Sequence, residues 1–317
     1  MTPEPAPRPT PNPRPANNAA NPAANLTSNI LDTALIFEGG GMRGSYTAAV
    51  VALLLRQELF FDYVAGISAG SSHTANYLAR DATRARQSFV DFADDPKFGS
   101  WKTWIEGKGM FNSHYIYEET CLPGGPLPYD FDSFWANPAR FKIGAFDIEL
   151  GQTVYRGRDQ ILTKPELMSW VRASSTMPLV MPEVTIDGRA FVDGAIGSGG
   201  GIPLDIAEQD GFQRFFVVMT RPRDYVKPPT KAAAFFRHHY RHQPSVAEGL
   251  IKRAENYNRT RASLLELEAA GQALLFFPDR IDVANGTRSV PALLAAYQSG
   301  WDQSIRQLPN WLAFLRG

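Results

Sequence analysis

Strand-like and helix-like hydrophobic patterns alternate along this chain from about residue 33 onward. Ala34-Leu35-Ile36-Phe37 is an unbroken apolar run ending at Glu38 and three glycines. That is the pattern of a parallel strand buried on both faces and running into a tight loop. Residues 44–59 are rich in Ala and Leu and apolar almost all round, which predicts a buried helix. Asp62-Tyr63-Val64-Ala65-Gly66 reads as a second strand and residues 69–80 as a second helix. Further strands are predicted at 141–146, 153–155, 191–193 and 215–220, and helical spacing recurs over 247–270 and 290–315. Asp187-Gly188 lies between Val184-Thr185-Ile186 and Arg189-Ala190-Phe191, a two-residue hairpin signal with no chemistry assigned to it. The alternation predicts a layered α/β fold with a mainly parallel sheet. With no internal repeat or interdomain linker, one domain is expected over 31–317.

Before residue 31 the pattern is lost. Eight of the 24 prolines fall between Pro3 and Pro22, among Ala, Asn, Thr and Arg. This stretch lacks the apolar core of a secretory signal and is expected to be a passive, polyproline-II-like or disordered tail over 1–30. The longest apolar run, Thr47 to Leu55, is far shorter than the roughly 20 residues that span a bilayer. The expectation is a protein that touches membranes peripherally without crossing one.

Composition narrows the classes. Apolar types make up 44% and charged types 20%, as in globular proteins, which excludes a wholly disordered chain or a collagen. Lys+Arg and Asp+Glu are each 32, so the chain has no net positive charge to draw it to a polyanion, and no nucleic-acid partner is expected. Cys121 is the lone cysteine and can form no intramolecular disulfide, so an intracellular, cytoplasmic type of protein is expected.

Two motifs carry candidate chemistry. Gly39-Gly40-Gly41-Met42-Arg43-Gly44 satisfies G-x-G-x-x-G between a strand and a helix, the context of a dinucleotide site. That reading, a nucleotide-dependent oxidoreductase, also needs an acidic residue at the end of the second strand to hold a ribose. Here that strand ends in Gly66-Ile67-Ser68. The Walker pattern fails as well, because Gly44 is followed by Ser45-Tyr46. An anion cradle of backbone N–H groups at a helix N-terminus remains, and it would serve an oxyanion as well as a phosphate.

Gly66-Ile67-Ser68-Ala69-Gly70 is G-x-S-x-G between a predicted strand and helix. A strained turn there lifts a serine hydroxyl above the sheet and tolerates only small neighbours, which Gly66, Ala69 and Gly70 are. Ser68 is the candidate nucleophile, expected at an exposed turn. Its base is open among His73, His114, His238, His239, His242 and Asp193. His73 follows on the same helix and should point away, while Asp193 ends a strand and enters a glycine-rich loop at 197–201. A triad in the order Ser68, Asp193, then His239 or a neighbouring histidine is the competing arrangement. His238 and His242 are spaced as a metal pair, but no acidic partner completes a site, and no metal or cofactor is expected. Trp301, Trp311, Leu312, Phe314 and Leu315 are expected to cover a core more than to form an interfacial patch.

Together, Gly39 to Gly44, Gly66 to Gly70 and Asp193-Gly194-Ala195 resemble, in order and spacing, the three signatures of patatin-like phospholipases. The likeness runs from about Leu35 to Thr220 and is closest to the compact bacterial branch. It implies a three-layer α/β/α fold and a Ser–Asp dyad that cleaves lipid acyl esters without histidine. By motif, Ser68 is then the nucleophile, Asp193 the base, and Gly39, Gly40 and Gly41 the oxyanion donors. Arg43 matches the family arginine that braces that loop. Gly66, Ala69, Gly70 and Gly194 support the two turns, and Ala173 to Pro178 resembles the family's turn before the aspartate. The alternative on the same fold is a non-catalytic lipid-binding or regulatory protein.

Overall fold

The structure, a computed structural model, describes residues 26–316. The Pro-rich stretch expected as a tail lies largely outside the described residues. Packing begins before residue 30, since the N–H groups of Asn29 and Ile30 both donate to the Phe60 carbonyl.

Along the chain, β1 (Thr33–Phe37) leads to α1 (Gly44–Arg56), and β2 (Tyr63–Ile67) leads to α2 (Ala69–Leu78) and α3 (Ala82–Phe89). Short helices α4 (Trp101–Ile105) and α5 (Phe131–Ala136) precede β3 (Arg140–Asp147) and β4 (Gln152–Arg156). Then come α6 (Lys164–Ser174), the hairpin of β5 (Val184–Ile186) and β6 (Arg189–Asp193), α7 (Leu204–Gln209) and β7 (Arg214–Val218). The chain closes with α8 (Ala233–His239), α9 (Pro244–Ala269), β8 (Ala273–Phe276) and α10 (Val290–Leu315).

The sheet runs β5-β6-β3-β2-β1-β7-β8, with β4 paired to β3. From β3 to β8 the neighbours are parallel, whereas β4, β5 and β6 pair antiparallel at the other side. Every residue of β1 is buried. Leu35 and Phe37 face a core shared with α1, α2 and α10, and Ala34 and Ile36 face a second core shared with α7 and α9. This two-sided burial is why the parallel strands read as unbroken apolar runs. The result is a three-layer α/β/α fold. Trp311 of α10 is buried edge-on against Phe216 and Phe276, 5.1 and 5.8 Å between ring centres, so the C-terminal aromatic cluster seals a core at that position.

Register along β3 positions the site. Ile67 pairs with Gly144, and Asp193 of the antiparallel β6 pairs with the next residue, Ala145. β2 and β6 therefore meet end to end along one edge of β3, and the residue after Ile67 falls beside Asp193. The Asp187-Gly188 hairpin forms as predicted, with both residues at positive φ, 51° and 78°. Among the described residues, no helix is long and apolar enough to cross a membrane.

Candidate active site

Ser68 sits at the carboxyl end of β2 with φ 58° and ψ −126°, a conformation that L-residues rarely adopt. Its neighbours leave no room for larger groups. A Cβ on Gly66 would stand 2.1 Å from the Gly70 carbonyl oxygen, and one on Gly70 would stand 2.2 Å from that of Phe37. The turn is locked from outside by Ser174, whose Oγ accepts the Ser68 N–H at 2.9 Å and donates to the Gly144 carbonyl at 2.6 Å.

The Ser68 Oγ donates to Asp193 Oδ2 at 2.8 Å. The other carboxylate oxygen accepts the Ala195 N–H at 2.9 Å, and the Asp193 N–H donates to the Thr176 carbonyl at 2.7 Å. The stretch from Ala173 to Pro178 thus holds both members of the pair. Gly194 approaches β3 closely, since a Cβ there would meet the Gly144 oxygen at 2.5 Å. Asp193 is only 5% exposed, and burial raises its pKa above the ordinary carboxylate range. Arg253 of α9, the Ala195 N–H and the Ser68 hydroxyl pull in the opposite direction.

The expectation of an exposed serine does not hold. Ser68 is 6% exposed and lines a largely apolar cavity together with Met42, Phe89, Phe111, Ile116, Met177 and Met181 among others. Tyr117 also lines it; burial raises its phenol pKa, and the Asp193 carboxylate adds to that. Spacing gives no hint of Tyr117, because the segment between α4 and α5 that carries it has neither helical nor strand periodicity.

The glycine loop lies against Ser68, with a Cβ on Gly39 3.0 Å from that of Ser68. One of the three expected donors is already engaged: the Gly39 N–H bonds the Gly201 carbonyl at 2.9 Å. Among the described residues, the N–H groups of Gly40 and Gly41 have no protein partner. Gly41 has φ 54°, and a Cβ there would meet the Asn285 carbonyl at 2.7 Å, so the loop needs glycine at this position. Arg43 is buried behind the loop, donating to the Thr220 carbonyl at 3.2 Å and to the Asn285 side chain. Burial pushes its guanidinium down to about 10, so it stays charged at neutral pH.

The histidines stand apart from this pair. His238, His239 and His242 are exposed on and after α8, where His239 stacks on Phe235. His73 is fully buried against Thr47, with its pKa lowered to about 3 by burial, and so is neutral. His114 faces Glu118 and Glu119. Among the described residues no cluster of side chains could hold a metal ion.

Comparison with known proteins gives two family matches along the chain. The family model of patatin-like phospholipases matches residues 35–207, and a model described only as a domain of unknown function matches 243–316. An uncharacterized protein of Escherichia coli (strain K12), YjjU, is 26% identical over 201 residues. That match covers 62% of this chain and 54% of YjjU, so this chain spans about half of that relative's length. Among solved structures, VipD from Legionella pneumophila aligns at 12% identity with a TM-score of 0.47, covering 88% of this chain and 67% of that one.

Proposed function

The chain belongs to the patatin-like phospholipase family, and from that premise we propose that it is a serine acyl hydrolase that cleaves fatty-acyl esters of lipids through Ser68 and Asp193. The observation that carries the reading is the 2.8 Å hydrogen bond to a buried carboxylate from the hydroxyl of Ser68, a residue that lines an apolar cavity. In this mechanism the acyl chain lies in the cavity between α2, α6 and the segment carrying Phe111 and Tyr117. Ser68 Oγ attacks the ester carbonyl while Asp193 Oδ2 takes its proton, and the N–H groups of Gly40 and Gly41 hold the oxyanion. Collapse of the tetrahedral intermediate expels the alcohol, which leaves with the proton from Asp193. Water then attacks the acyl-enzyme with Asp193 again as base, and the fatty acid departs. The raised pKa of Asp193 suits a group that must both take and return a proton.

The decisive experiment is hydrolysis of p-nitrophenyl esters and of a lipid panel by the purified chain, with fluorophosphonate labelling mapped to residue. Turnover with labelling at Ser68 is the expected result. A chain that binds lipid yet neither turns over an ester nor takes the label is a non-catalytic binder.

A further inference from the structure

One cluster of charge is unused by this mechanism, and it lies outside the segment that matches the phospholipase family. Arg221 follows β7, Lys227 lies in the loop beyond it, and Arg253 projects from α9. Arg221 and Lys227 share the Tyr225 ring, at 4.4 and 5.7 Å from its centre, and both Lys227 and Arg43 feel Arg221, Arg253 and the buried carboxylate of Glu38. Among the described residues, Arg221, Lys227 and Arg253 form no ion pair, and the buried Nε atoms of Arg221 and Arg253 have no hydrogen-bond partner. Glu38 is itself engaged, accepting the Thr220 N–H at 2.5 Å.

The loop that presents these cations is strapped in place. Asn258 of α9 clamps Lys227 from both sides, accepting its N–H at 2.9 Å and donating to its carbonyl at 3.0 Å. Arg261 donates to the carbonyls of Pro222 and Arg223 at 3.1 and 2.7 Å. The Lys227 ammonium stands 4.6 Å from the Tyr257 ring centre, and the Arg221 guanidinium 4.4 Å from that of Tyr225. The cluster adjoins the dyad, because Arg253 is the charged group that most offsets the burial of Asp193. α9 is also tied to the loop after Asp193, where Asn256 donates to the Gly197 carbonyl at 3.2 Å.

We propose that Arg221, Lys227 and Arg253 form an anion-binding subsite beside the dyad, suited to the phosphate of a phosphoglyceride whose acyl ester is presented to Ser68. Its role toward substrate rests on the acyl-hydrolase reading; its capacity to bind an anion does not. Burial, with Arg253 foremost among the cations, lowers Lys227 to about 8. Cations gathered at such a cost are stabilised by a bound oxyanion, which relieves their mutual repulsion and supplies charge-assisted hydrogen bonds.

Calorimetry on the full chain tests the subsite directly, with glycerol 3-phosphate, inorganic phosphate and glycerol as probes. Glycerol 3-phosphate should bind and glycerol should not, and Arg221→Gln with Lys227→Met should weaken the phosphate ester at least about tenfold. Arg280→Gln, an exposed charge elsewhere, controls for overall charge and should change nothing. Equal affinity in the double variant, or no binding by the wild type, overturns the subsite. Should the double variant lose its thermal transition, salt decides: wild-type affinity must fall steeply with added NaCl, and a flat response overturns it. The lipid source is decided by kcat/KM on dioleoyl phosphatidylglycerol against dioleoylglycerol in identical detergent micelles. The variant should cut that ratio about tenfold, mainly through KM, and an unchanged ratio rejects a headgroup role. A wild type that hydrolyses neither ester refutes the hydrolase reading, while the calorimetry still decides the anion site.

Discussion

Ser68 occupies a backbone conformation that costs about 1–3 kcal/mol and persists only because its surroundings over-determine it. Ser68→Ala keeps that backbone but leaves the buried Asp193 Oδ2 without its donor, so stability should fall by about 1–3 kcal/mol. Activity should fall by roughly 10⁴- to 10⁶-fold. Asp193→Asn should be similarly inactive, whereas Gln at His238, His239 and His242 together should keep most activity on a soluble ester. A single histidine change as damaging as Asp193→Asn would install a triad. Asp193 also makes a pH prediction. A base must be deprotonated, so kcat/KM should fall as pH drops through its raised pKa, at a higher pH than for an ordinary carboxylate. Arg253→Gln removes the leading opposing cation and should move that acid limb further up. Linkage gives the sign for stability. A carboxyl whose folded pKa is raised binds more protons folded than unfolded, so stability declines as pH rises from the ordinary carboxylate value through the raised one. Thermal melts across that window should show the decline in wild type and lack it in Asp193→Asn.

At the scale of elements, the turns do more to set the geometry than the helices they join. Gly70→Ala would force a methyl to 2.2 Å from the Phe37 carbonyl oxygen, a backbone atom with nothing flexible to yield. We expect loss of folding or at least about 3 kcal/mol, read by denaturant titration. Gly40→Val meets Thr220 side-chain atoms at 2.7 to 2.9 Å and displaces a donor, so kcat should drop about 10²- to 10³-fold. An unchanged kcat would remove the loop from the mechanism. These turns were legible because strand, small-residue turn and helix are consecutive in sequence. The parallel strands were legible for another reason, burial on both faces. β8, Ala273–Phe276, was not foreseen: four apolar residues that follow a helix after only a short turn carry no period of their own. Nor was the engagement of Gly39 by Gly201, a contact between loops 162 residues apart.

The whole molecule bears on whether the region after the phospholipase match is separable. Sequence suggested one domain over 31–317, whereas two family matches divide the chain near residue 243. We propose a single unit, on the packing of α10 and β8. Gly300 of α10 lies so close to α1 that a Cβ would meet the Tyr46 carbonyl at 2.2 Å. Gln303 accepts the Tyr46 hydroxyl at 2.5 Å and donates to the Phe277 carbonyl at 2.7 Å, tying α10 to both α1 and the end of β8. β8 itself extends the sheet beside β7. Removing everything after residue 242 would therefore strip one edge strand and bare Phe216, and would also remove Arg253 from beside Asp193. The expected outcome is a truncated chain with no cooperative thermal transition and no fluorophosphonate labelling, against one transition for the full chain. Trp311→Ala probes the same junction more gently and should cost about 3–5 kcal/mol while leaving Ser68 reactive below the new melting temperature. A 1–242 fragment that melts cooperatively and labels at Ser68 would make the C-terminal region an accessory module, with α9 and α10 contributing neither core nor charge that the site requires.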